Sequence, residues 1–205
     1  MKRLSIVLAI FMTSAVVYGD KKSDSKFSPG PASSYTTKQT NENVTIAAVA
    51  YDSDELAHTA FGKLNPYQYG VLPVLVIIQN DTGEALRLDH VTAEFVDATD
   101  RHAEAIPAEE VQYAGPGPSR PRGPSGGPLP LPPGLIKHKS PPLSAWEIEG
   151  RAFSAKMLPA HEAANGFFYF QSRVLPGCKL YLTGIQKASS GKELFYFEIP
   201  LEMHR

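Results

Sequence analysis

Three short strings in this chain carry residue types that could do chemistry. Gly123-Pro124-Ser125-Gly126-Gly127 has the G-x-S-x-G spacing of a nucleophilic serine. That chemistry needs the serine on a strained turn between a buried strand and a helix, with a histidine in reach and donors for the oxyanion. Here the string lies in a run of proline and glycine with neither element beside it, so it reads as a coincidence of composition. His161-Glu162-Ala163-Ala164-Asn165 begins as a zinc-protease helix does, but Asn165 stands where a second histidine would complete the metal face. Pro159 and Gly166 leave no room for that helix, and a solvated loop is expected. Asp52, Asp54 and Glu55 gather after an apolar stretch, and oxygen-rich loops of this kind can hold calcium. The six histidines are scattered without ligand spacing. No catalytic residue and no cofactor follow from these patterns, and the acidic trio supplies the calcium candidates.

The start of the chain speaks to compartment. Lys2 and Arg3 precede an uncharged apolar run over residues 4–17, and Val17-Tyr18-Gly19 offers small residues before a cleavage point ahead of Asp20. This is the pattern of a secretory signal peptide of bacterial style, and the run is shorter than the roughly 20 residues a spanning helix needs. No cysteine stands near that point, which argues against a lipid-modified N-terminus and for a secreted or periplasmic chain. After removal of residues 1–19, 18 basic and 21 acidic side chains remain, a net of −3 that argues against nucleic acid as partner. The charge is unevenly spread. Residues 44–110 hold twelve acids and three bases, whereas residues 111–146 hold Arg120, Arg122, Lys137 and Lys139 with no acid. Cys178 is the only cysteine, so the fold has no internal disulfide, and the thiol is expected as a small buried hydrophobe.

The elements follow from periodicity. Residues 20–43 are polar and read as a flexible leader. From Val44 onward β-branched and alternating stretches predict strands at 44–51, 71–79, 86–88, 91–96, 166–171, 179–185 and 193–201. Asn80-Asp81-Thr82-Gly83 is a turn by composition. One helical turn fits 54–59, and a capping-box pattern at Ser144 predicts a three-turn helix over 145–157, with Trp146, Phe153 and Met157 on its buried face. Phe195, Phe197 and Ile199 alternate with Tyr196 and Glu198, which predicts one face of a last strand. Residues 115–142 contain ten prolines and six glycines, a composition that excludes helix and ladder. They are expected as a disordered insertion within a single domain spanning 44–201, because 143–205 is too short to close its own core. About seven strands with a short helix define a mainly β chain, an antiparallel β-sandwich.

Three segments carry a resemblance: residues 70–80, which end a hydrophobic run in Asn80; Gly166-Phe167-Phe168-Tyr169-Phe170; and the aromatic run 191–199. Together they resemble bacterial exported immunoglobulin-like domains. The resemblance implies a sandwich fold and assigns no catalytic residue. The leading expectation is an envelope or periplasmic, non-enzymatic module that binds a protein or an anionic surface component. The proline-rich insertion is its candidate interaction loop: Arg120, Arg122, Lys137 and Lys139 supply charge, and Leu129 and Leu131 supply apolar contact. The alternative is a calcium or small-ligand module using the acidic 52–100 region. A secreted hydrolase built on Ser125 comes third.

Overall fold

A computed structural model describes residues 27–114 and 142–204. The chain is mainly β and antiparallel throughout its named ladders. Its first sheet is ordered β1 (Lys38–Asn41), β2 (Val44–Ala50), β3 (Leu72–Asn80), β8 (Ala163–Phe170). The second is ordered β11 (Phe197–Pro200), β9 (Lys179–Thr183), β5 (Thr92–Val96), β6 (His102–Glu104). A small third sheet joins β10 (Gln186–Lys187), β4 (Leu86–Arg87) and β7 (Met157–Leu158). Each of the three contains strands from both sides of residues 115–141, paired directly with one another. β3 pairs with β8 over eight positions and β5 with β9 over five.

Alternation decides which residues meet between the two large sheets. Ile46, Leu72, Val74, Val76, Ile78 and Phe170 of the first pack against Phe95, Leu180, Leu182, Phe197 and Ile199 of the second in one apolar cluster. Each such side chain contributes roughly 1.5–3 kcal/mol by leaving water. The opposite residues of the first sheet face away from this core and are buried as well. Leu75, Ile77, Phe167 and Tyr169 lie under helix α1 (Asp54–Phe61), helix α2 (Trp146–Gly150) and short 3-10 turns at Ala32–Ser34 and Ala108–Tyr113. β3 is therefore covered on both faces, which is why its sequence is an unbroken apolar run and only Gln79 in it is part-exposed.

Several expectations need correction. There are eleven strands among the described residues, not about seven, and two helices. The additional strands β1, β6, β7 and β10 are two to four residues long, too short for a pattern of their own. Residues 27–43 of the expected leader carry a 3-10 turn at Ala32–Ser34 and strand β1. Glu42 and Asn43, with φ of 45° and 61°, form a two-residue hairpin that lays polar β1 beside β2. The expected three-turn helix stops at Gly150, with no side-chain cap at Ala145. Beyond it the free edge of β8 captures the chain: Phe153 N–H donates to the Phe167 carbonyl at 3.0 Å, and Phe167 N–H to that of Arg151 at 2.8 Å. Ile148 is buried in place of Trp146, which is 70% exposed. Phe195 is also 70% exposed, because β11 starts only at Phe197 and Leu194 docks in the core instead. The insertion 115–141, with all six candidate loop residues and Ser125, and the segment 1–26 lie outside the described residues.

Candidate functional site

Two of the three acidic candidates are structural anchors. Asp52 is nearly buried, and both its oxygens accept the His204 N–H at 3.1 Å, which fastens the C-terminal stretch. Asp54 Oδ1 accepts the side-chain amides of Asn65 at 2.6 Å and Gln68 at 2.8 Å, which holds the turn Pro66–Tyr69 against α1. Glu55 is exposed in the first turn of that helix. Among the described residues no group of three His, Cys, Asp or Glu is arranged to hold a metal ion. Much of the remaining acidic excess is tied locally. Glu84 meets Ser189 and Lys187, and Asp89 meets Arg87 at 2.8 Å. The Thr99 hydroxyl, followed by the Arg101 and Thr99 amides, holds the Asp97 carboxyl well below the usual carboxylate range. His161 and Glu162 sit in the turn before β8, and Ala163–Asn165 are already strand, so no metal-binding helix exists there. Cys178 is buried in the inter-sheet core.

What the fold leaves accessible is the outer face of the second sheet, since the first has both faces covered. Register places Glu104, Glu94, Tyr181 and Glu198 in one transverse row across all four strands. His102 Nδ1 lies 2.5 Å from Glu94, and Lys179 pairs with Glu198. The rings of His102 and Tyr196 flank Tyr181 at 6.0 and 5.2 Å, and Tyr196 beside Phe195 is 51% exposed. Glu94 stands directly opposite Glu104, an unfavourable cross-strand pair of like charges. Glu94 is in hydrogen-bond contact with the His102 ring. Glu104 has no hydrogen-bond or ion-pair partner among the described residues.

This face turns a corner at Glu104 into a cleft of about 280 Å³. The corner forms because the chain leaves the second sheet after β6 and joins the first, where Ile106 N–H donates to the Tyr169 carbonyl at 2.8 Å. Segments 104–108 and 152–153 both reach β8, and both line the cleft. Phe168, stacked on Phe153 at 5.2 Å with planes 18° apart, forms an apolar wall, while Glu104 and Thr92 supply the polar lining. Gly166 lets the 152–153 segment cross β8 closely: a Cβ there would stand 2.5 Å from Phe153 Cα. The sequence reading missed this site. Alternation in β5 and β9 marks Thr92, Glu94, Lys179 and Tyr181 as one solvent-facing set, but the pairing of Glu94 with Glu104 depends on a hairpin register that no composition signals.

No protein-family model matches the chain, and no curated protein matches it. The chain is mainly β and antiparallel, and among the described residues one large sheet is covered on both faces and the other on one. Among the described residues no helix is long and apolar enough to cross a membrane.

Proposed function

We propose that this chain is exported, sheds residues 1–19, and works in a bacterial envelope or periplasm as a non-enzymatic immunoglobulin-like sandwich that binds a protein or a surface component. The observation that carries the reading is the accessible face of the second sheet. Strand alternation fills its inner side with core residues. Its outer side presents Tyr196, Tyr181 and a carboxylate row, with exposed Phe195 next to Tyr196 in the chain, a mix of aromatic anchors and polar rim suited to recognition. The basic and apolar residues of the insertion, Arg120, Arg122, Leu129, Leu131, Lys137 and Lys139, are a second candidate contact, supported by sequence alone.

Mass spectrometry of the full-length gene product expressed in a bacterial host tests the export. The expected mature chain begins at Asp20 in the periplasmic or secreted fraction, and an intact Met1 in the cytosol would overturn it. In-cell cross-linking of the mature chain then tests the face. A discrete envelope adduct is expected, reduced by Phe195→Ser combined with Tyr196→Ser and retained on deletion of residues 117–134. Loss with the deletion alone would transfer the function to the insertion.

A further inference from the structure

We infer that the corner cleft is a binding site for a primary ammonium carried on a short hydrocarbon, whether a lysine side chain of a partner or a free alkylamine. This names the ligand chemistry of one part of the surface proposed above and rests on that reading. Two independent observations meet here. The cleft is concave, about 280 Å³, and walled by Phe153, Phe168 and Ile106, which accept hydrocarbon and offer no cation. At its polar side stands Glu104, whose carboxylate faces Glu94 across the ladder and has no cationic partner among the described residues. A ligand ammonium would relieve that like-charge pair while its hydrocarbon body displaces water from the aromatic wall. A carboxylate ligand would worsen the repulsion, and a neutral alcohol would gain only the apolar part. Lys179, a cation of this face, is held by Glu198 and does not compensate Glu104.

The test is an NMR titration of the mature chain with hexylammonium, hexanol and hexanoate in parallel. Hexylammonium is expected to shift the resonances of Phe153, Phe168 and Ala105 saturably and about fivefold more tightly than hexanol, the ratio of one exposed charge contact. Glu104→Gln, isosteric and on the surface, is expected to remove that preference. Ala108→Phe, which adds bulk at the cleft wall, is expected to abolish binding of both ligands, with a thermal melt verifying the fold. Equal affinity for hexanol and hexylammonium, or an unaltered preference in Glu104→Gln, would overturn the proposal. N-acetyl-lysine methylamide separates the sources: affinity matching hexylammonium assigns the site to a protein lysine, and much weaker binding assigns it to a free amine. The cross-linked adduct described above does not depend on Glu104. Its persistence in a variant blind to hexylammonium would mark failure of this inference alone.

Discussion

Gly166→Ala is the substitution whose cost the structure specifies most directly. The added methyl carbon would stand 2.5 Å from Phe153 Cα, 2.7 Å from its nitrogen and 3.1 Å from the Ala152 carbonyl carbon. All three are backbone atoms, so no side-chain rotation relieves the clash and the 151–153 segment must lift from β8. Lifting it breaks the two hydrogen bonds linking Phe153 to Phe167 and Phe167 to Arg151, each worth about 1 kcal/mol net. It also opens the Phe153–Phe168 stack, worth about 1 kcal/mol more. A total near 3 kcal/mol corresponds to a fall in Tm of about 6–12 °C for a chain of this size. Circular dichroism melts of the mature protein measure it. The control is Gly83→Ala, where nothing lies within 4 Å of the new atom, and the melt is expected to be unchanged or slightly higher. A Gly166→Ala protein melting within about 1 °C of wild type would show that the strand crossing is not closely packed. The geometry assigned to the cleft wall would fall with it.

Two further outcomes follow from buried polar groups. Asn80 accepts Thr82 N–H and O–H at 3.1 and 2.6 Å and donates to the carbonyls of Glu84 and Pro159 at 2.9 Å, so Asn80→Ala is expected to lose about 3 kcal/mol in urea denaturation. Asn80→Asp should cost more, because it points an acceptor at those carbonyls. Burial pushes the Tyr51 phenol up to about 12 and Tyr169 higher still, so the folded chain retains protons that the unfolded chain releases near pH 10. Stability should be unaffected by these groups below about pH 10 and fall from there upward through about 12. Tyrosinate absorbance of the mature chain, which keeps eight of the nine tyrosines once residues 1–19 and Tyr18 are removed, should show that two ionise only as the ellipticity is lost. Full ionisation of all eight with the ellipticity intact would contradict the packing of both rings.

The sequence by itself determined the strands of five or more residues, alternating or continuously apolar. β2, β3, β5, β8 and β9 all stand where β-branched and aromatic periodicity puts them, because a half-buried or fully buried strand needs that composition wherever it pairs. It also marked Asn80 as the end of a hydrophobic strand, although not that its amide ties three segments together. Short-range pattern fails where the decisive neighbour is far along the chain. Trp146 and Phe195 look like core residues, yet both are exposed, because the edge of β8 ends one helix early and β11 starts late. Polar β1 is a strand only because a two-residue turn folds it onto β2. Asp52 and Asp54, two residues apart and both acidic, are pulled to different partners, His204 and the 65–68 turn. Glu94 and Glu104, ten residues apart and unremarkable in sequence, are placed face to face. Periodicity is a property of neighbouring residues. The cleft and the carboxylates at its rim are products of register and crossing, which exist only once distant strands have paired.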